Sequence, residues 1–461
     1  MATDLPAGQD APLRRALLPR HLSMLALGGT VGAGLFVGSG AVIAATGPAV
    51  VLSYAAGGLV VVVMMRMLAE LTLAHPSVGS FVDHTRTAIG PAAGYAMGWL
   101  YWWGWVVALA FEAVAGASVL ASRVPGVPLA VWALLLLAVT ATLNLLPVRR
   151  LGETEFWLAS IKVVAIVLFL VVGLLAVTGL LPGRSAGLPG LAGQELLPGG
   201  WLPVVAAMVA GLFTYGGTEI VAIAAAEAED PERTLVAATR QVVARILLFY
   251  VGSVALIVCL LPLARTPDDA SPFAVVLDDV GLPAASAVLD LLLVVALLSA
   301  MNSAIYVCSR TLLALATNGD ARAGLARVDG AGVPRTAVVV SVAVATAACV
   351  LAFLGQENAF LVLLGTAGAI SLPVYGLIAL SQIRLRQRRT RAGAPVPAVQ
   401  VWLFPYLSYA VIAFIAAVAV AMALLPDFQP QLVLTGLVLA GLLLAYRRRR
   451  ARREDVAPVT P

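Results

Sequence analysis

Charge is scarce in this chain. Only 11% of its 461 residues are Asp, Glu, Lys or Arg, and 61% are hydrophobic, whereas an ordinary soluble domain carries roughly 25% charged and 45–50% apolar residues. A water-soluble fold would lack the polar surface to cover such a core. Cysteine is nearly absent: Cys259, Cys308 and Cys349 lie far apart in apolar runs, which gives neither metal-ligand spacing nor a disulfide framework. The three histidines, His21, His75 and His84, fall near the ends of apolar runs and read as interface residues. No metal, no cofactor and no nucleophile–base constellation of an enzyme is expected. Lysine occurs once, at position 162. The net charge of +5 sits on arginines between apolar runs, so it reports orientation in a membrane and gives no reason to expect nucleic acid.

What is abundant is apolar sequence in membrane-length pieces, each near the ~20 residues that cross a bilayer core. Spans are predicted near 22–45, 49–74, 94–121, 127–147, 154–180, 201–227, 240–263, 283–316, 334–354, 358–382, 403–424 and 430–446. The fold class is therefore an all-α membrane protein of about twelve transmembrane helices. A polar N-terminal tail (1–21), a twelve-helix domain (22–446) and a C-terminal tail (447–461) organise the chain. The first 20 residues are polar and basic and lead into a full membrane-length run, so no cleavable signal peptide is expected. With both termini placed in the cytoplasm, 23 arginines fall on the inner side and three (Arg123, Arg184, Arg265) outside. That bias is what the positive-inside rule demands. The C-terminal arginines then serve as a topology anchor beside anionic membrane lipid.

Two spans carry glycine where a helix should be strongest. The first contains Gly28-Gly29-Thr30-Val31-Gly32-Ala33-Gly34-Leu35-Phe36-Val37-Gly38. Each glycine weakens a helix by about 1 kcal/mol relative to alanine. Close helix packing is one reading, since Gly28/Gly32 and Gly34/Gly38 have four-residue spacing. The other is an unwound segment whose freed backbone groups bind a solute, tolerated at membrane depth only beside protein or a cavity. The sixth span holds Phe213-Thr214-Tyr215-Gly216-Gly217-Thr218-Glu219. Spans one and six correspond if spans 1–5 and 6–10 are inverted repeats, and paired interruptions of this kind point to a binding site. Freed N–H groups attract a carboxylate and freed carbonyls an ammonium, so two facing breaks suit a zwitterion.

Ionisable groups at membrane depth are costly and suggest function. Lys162 lies about 12 Å inward from Thr154 along its helix. A lysine can give up its proton when buried and an arginine cannot, so Lys162 reads as a proton-coupling site, against a snorkelling or structurally paired lysine. Glu219 adjoins the second break and Glu112 lies in span three; each can pair internally, bind an ammonium or carry a proton. Arg66 and Glu70, four residues apart, read as a helix-end ion pair. Trp99, Tyr101, Trp102, Trp103 and Trp105 read mainly as an interfacial aromatic belt, with some as candidates for the permeation path that periodicity does not single out.

These motifs resemble the amino acid–polyamine–organocation transporter superfamily, in particular bacterial amino acid permeases. The similarity runs through Arg20 to Gly40, Met65 to Glu70, Gly79-Ser80-Phe81, Gly152 to Trp157, Gly217 to Ala225, Ser271 to Ala274, Asn302-Ser303 and Trp402 to Pro405. Gly94 to Trp105 looks most like the γ-aminobutyrate (GABA) permeases. The resemblance implies a five-plus-five inverted-repeat (LeuT-like) fold with helices one and six broken, repeats near 22–180 and 201–382, and extra helices near 403–446. It implies that backbone around Thr30, Gly32, Ala33 and Gly34 binds the substrate carboxylate, and that carbonyls around Phe213, Thr214, Gly216 and Gly217 face the amine. Lys162 matches a lysine that stands in for sodium in proton-coupled members, and Glu219 a glutamate of gating or coupling. Thr214-Tyr215-Gly216 and Ala108-Leu109-Ala110 depart from the GABA-permease pattern.

The expected activity is proton symport of a small zwitterionic amino acid, GABA first, across the inner cell membrane. The expected partners are that amino acid, protons and lipid. A neutral α-amino acid is the alternative substrate. A non-transporting sensor is the alternative class, although the short tails offer no signalling appendage.

Overall fold

A computed structural model describes residues 17–77, 79–181, 186–266, 271–355, 359–395 and 397–456. Its regular elements are helical; Leu17 and Ala228 form one isolated parallel bridge. The helices are α1 (Pro19–Thr30), α2 (Ala33–Phe36), α3 (Gly38–Thr46), α4 (Val50–Ala74), α5 (Phe81–Ala88), α6 (Pro91–Arg123), α7 (Leu129–Asn144), α8 (Val148–Thr178), α9 (Trp201–Thr214) and α10 (Ile220–Ala224). They continue with α11 (Pro231–Arg245), α12 (Ser253–Leu260), α13 (Pro272–Asp279), α14 (Pro283–Thr317), α15 (Arg335–Gly355), α16 (Ala359–Arg391), α17 (Tyr406–Leu424) and α18 (Gln429–Val456).

Eight stretches among the described residues are long and apolar enough to cross a membrane, and Leu129–Asn144 and Trp201–Leu212 are shorter apolar helices. Gly47, with φ 63°, ends the first span before the 3-10 turn Gly47–Ala49 leads into α4. The first and sixth spans are each broken: α1, α2 and α3 share one, α9 and α10 the other. A π-helical stretch, Ile246–Gly252, joins α11 to α12 in the seventh.

Hydropathy locates the hydrocarbon boundary, and several helices outrun it. α8 begins at Val148, directly after Pro147, and α16 runs on through Arg391. The residues 447–456, expected in a tail, continue α18 to Val456. Arginine is a good helix former, so helix persists where the apolar run stops. The short helices α5 and α13 escape a search for membrane-length runs, although Pro272 at the first position of α13 is a usual helix start.

Long central helices α6 and α14 pack along each other, with α16, α7 and α15 against α6. Small residues permit the approach: a Cβ on Gly116 would strike Leu136, and one on Gly173 would strike Leu256. Apolar side chains on the outer faces of α8 and α18, such as Trp157, Leu168, Leu174, Leu437 and Leu444, are exposed, which suits contact with lipid.

Two pairings differ from expectation. Glu70 lies near enough to Arg66 to act on its charge, but makes its direct bonds elsewhere. It pairs with Arg386 of α16 at 3.3 Å and accepts the Val401 N–H at 2.9 Å. Arg66 donates to the Gln400 carbonyl at 2.7 Å and stacks on Trp402. Partners from another helix and a following loop satisfy each charge more fully than a neighbour along the same helix. Arg310, counted with the loop after span eight, lies inside α14. It is 3% exposed and bonds Glu227 at 2.9 Å, with Tyr306 also donating to that carboxylate at 3.0 Å.

Removing one partner of such a pair leaves a buried charge unmatched, at a cost of about 3–5 kcal/mol. Arg310→Met should lower the thermal unfolding midpoint in detergent well below that of the Arg310→Met/Glu227→Met double variant, measured side by side.

Candidate functional site

The first break lies between α1 and α2. Thr30 turns its hydroxyl back to the Ala26 carbonyl, and Val31 and Gly32 are extended. The carbonyls at the end of α1 thus lose their helical donors. Lys162 of α8 supplies the replacement: its Nζ donates to the Gly28 carbonyl at 2.6 Å and the Val31 carbonyl at 2.8 Å. Beyond the break, the Ala33 N–H at the start of α2 donates to both Glu112 oxygens, at 3.0 and 3.1 Å. A cation at a helix C-terminus and an anion at an N-terminus are the pairings the helix dipole favours. Gly32 has no side chain because a Cβ there would meet the Glu112 carboxylate.

In the second break, Gly217 carries φ 106°, a conformation glycine adopts without strain. A Cβ at that position would also strike the Gly29 carbonyl group and the Thr30 nitrogen, so the two breaks are in direct contact. Glu219 folds back to accept the Gly217 N–H at 3.0 Å, and Tyr101 donates to its other oxygen at 3.1 Å. The Thr214 hydroxyl bonds the Ala210 carbonyl at 2.7 Å. The Phe213 backbone lies in the last turn of α9, and its side chain lies outside the described residues.

One pocket joins these features. Thr30, Gly34, Glu112, Thr214, Gly216 and Glu219 all line it. Gly32 and Ala33 adjoin it through Glu112, and Gly217 packs between the breaks. Lys162 is not on its wall; it lies behind α1, 1% exposed. The pocket therefore presents two carboxylates and an ammonium held one layer back.

Of the wall opposite, sequence reading raised the span-three aromatics and Ala108 without singling out the lining residues, and it missed Gly104 and the α16 face. Tyr101, Gly104, Trp105 and Ala108 of α6, and Ile370, Ser371, Val374 and Tyr375 of α16, also line the pocket. Stepping back from Glu112 by helical intervals to 108, 105 and 101 would have selected the α6 face. Of the aromatic cluster, Tyr101 and Trp105 face the pocket, while Trp102 donates to Ser341 at 3.0 Å. Also missed was Glu155, fully buried and bonded to Asn302 at 2.7 Å; its seven-residue spacing from Lys162 puts both on one face of α8.

Broken helices that face each other around a buried polar pocket, inside a set of membrane-length helices, define a secondary transporter. Solved structures share the architecture. The chain matches a structure of MhsT in complex with L-phenylalanine, at TM-score 0.62 and 16% identity, over 90% of this chain and 100% of that one. It also matches Mhp1, a nucleobase-cation-symport-1 family transporter with bromovinylhydantoin bound, at TM-score 0.57 and 15% identity, over 98% and 97%. The expected five-plus-five (LeuT-like) fold is the fold of these transporters.

Residues 21–452 match the family described as amino acid permease, and the chain belongs to that family. It is 39% identical to the "Gamma-aminobutyric acid permease" of Bacillus subtilis over 454 residues, 97% of each chain. It is 39% identical to the "Probable GABA permease" of Pseudomonas aeruginosa, over 100% of this chain and 98% of that one. An aromatic amino acid transport protein of Escherichia coli strain K12 is 35% identical over 95% and 97%. The chain is a multi-pass membrane permease and not an enzyme.

Gly217→Ala adds a Cβ at positive φ and against Gly29, each destabilising by about 1 kcal/mol or more. Transport should fall at least tenfold in whole-cell uptake assays, whereas Gly126→Ala, at a similar φ (101°) but with open space around it, should leave uptake within about twofold.

Proposed function

We propose that this permease imports a small zwitterionic amino acid, GABA first, by proton symport with alternating access. The observation that carries the proposal is the placement of Lys162: a buried ammonium on α8 that holds the broken end of α1 while carboxylates line the adjoining pocket. The relatives named as GABA permeases, 39% identical along nearly the whole chain, support the substrate.

In this reading the substrate lies between the breaks. Its carboxylate approaches the backbone from Thr30 to Gly34, and its amine approaches Glu219 and the carbonyls of Thr214 and Gly216. Gly217 allows α1 and α9 to close around it. The Ala33 N–H is engaged by Glu112, so a substrate carboxylate and Glu112 compete for one positive helix end. Protonation of Glu112 resolves that competition, which links a proton to substrate binding. Lys162 links protonation to movement: a charged ammonium bridges α8 to α1, and a neutral amine grips the two carbonyls more weakly. A group can couple only if its proton affinity differs between the two states. The termini lie in the cytoplasm, where the arginine-rich loops and the α18 extension face anionic lipid, and the membrane is the cell's inner membrane.

The α6 and α16 aromatics on the pocket wall, together with the aromatic-transport relative, favour a neutral α-amino acid as the second substrate reading. Radiolabelled uptake in proteoliposomes separates the two. Purified protein should accumulate GABA under an inward proton gradient and lose accumulation when a protonophore is added. Excess unlabelled L-phenylalanine should leave GABA uptake within about twofold; strong inhibition with no GABA accumulation moves the substrate to the α-amino acid class. Lys162→Arg should retain substrate exchange and lose gradient-driven accumulation by at least tenfold, because arginine keeps its proton.

A further inference from the structure

Glu155 has no part in the pocket, yet it is one of the most completely buried carboxylates in the chain, at 0% exposure. It lies two helical turns before Lys162 on α8, a rise of about 10 Å, and lysine side chains on a helix lean toward its N-terminus. Its carboxylate packs against Gly28, where any side chain would strike it. Gly28 is the residue whose carbonyl holds the Lys162 ammonium. Glu155 and Lys162 thus grip the same turn of α1 from one helix.

The partners around Glu155 hold its carboxylate in place. Asn144 of α7 donates to the Asn302 side-chain oxygen at 2.8 Å and to the Asn302 carbonyl at 3.1 Å. The Asn302 amide oxygen is therefore engaged, and its NH₂ group points at Glu155 Oε2, 2.7 Å away. An amide NH₂ can only donate. Ser299, one turn earlier on α14, donates to Oε1. Both carboxylate oxygens therefore meet an oriented polar side chain, a setting in which a carboxylate can be held with its hydrogen bonds made.

We infer that Glu155 is a positioning residue for proton coupling: a fixed negative charge, held by an amide–hydroxyl chain from α7 and α14, that keeps Lys162 protonated while α1 is docked. The inference rests on the transport reading above. Among the described residues, the other charged group directed at this region is Glu112 of α6. The α1 turn offers backbone carbonyls. His21, at the start of α1, bonds Glu153 at 3.0 Å. From α14 come the neutral Ser299, Asn302 and Ser303, and from the seventh span the phenol of Tyr250, whose ring packs tilted against Tyr215. Removal of Glu155 thus deletes one of the two anions that stabilise the ammonium, and Lys162 then releases its proton more readily.

The test is GABA uptake into proteoliposomes as a function of external pH, with counterflow exchange as a control for folding and binding. In Glu155→Gln the pH of half-maximal uptake should move toward acid by about one unit, a tenfold change in proton concentration, with exchange retained within about twofold. Glu155→Asp should restore the midpoint. A purely structural role would lower the amount of active protein and leave the midpoint in place. Ser299→Ala removes one donor from the carboxylate and should move the midpoint the same way by less. If Glu155→Gln yields no exchange, Ser299→Ala decides alone. Wild-type midpoints in the folded variants overturn the role of Glu155. Failure of the wild type itself to accumulate GABA under a proton gradient sinks the transport reading instead.

Discussion

A helix broken inside a membrane exposes backbone groups that no water can satisfy, and here the Lys162 ammonium answers that need. Each orphan carbonyl or N–H in hydrocarbon costs several kcal/mol. The break between α1 and α2 is stable because Lys162 donates to one side of it and Glu112 accepts from the other. The glycines loosen the helix, but the two charged side chains hold it open. The break and the buried charges depend on each other: the charges would be too costly without the freed dipoles, and the dipoles too costly without the charges.

That mutual dependence places the ionisable groups with a common logic. Glu112 and Lys162 arise on α6 and α8 and reach the two sides of the first break, Glu112 the start of α2 and Lys162 the end of α1. Glu219 closes on its own break, with Tyr101 of α6 completing the contact. The unbroken helices α6 and α8 thus supply Glu112 and Lys162, and the second broken span carries Glu219 itself.

Much of this was legible in the sequence, for identifiable reasons. Membrane-length runs, glycine pairs at two corresponding depths and a lone lysine in an apolar span are local signals, each tied to a large free-energy cost. Lys162, Glu112 and Glu219 were found because an intramembrane charge is conspicuous. Their partners were not legible, since the Ala33 N–H and the Gly28 carbonyl are met only when separate spans fold together. Arg66 and Glu70 show the limit well: the four-residue spacing is real, but Gln400, Val401 and Arg386 outcompete it. Glu155 stood in plain view beside Glu153, and only its seven-residue relation to Lys162 set it apart. The pocket face of α6 was obscured by neighbouring tryptophans that share its composition and point elsewhere.

The bridge between Leu17 and Ala228 joins the entry of α1 to the chain just beyond α10; the Leu17 N–H donates to the Glu227 carbonyl, and Leu17 in turn accepts from the Glu229 N–H. At their other ends the same two half-helices meet where Gly29 abuts Gly217. Two rods pinned at both ends cannot pivot independently. These halves of the two broken helices are therefore joined at both ends, so a displacement of α1 is passed on to α10.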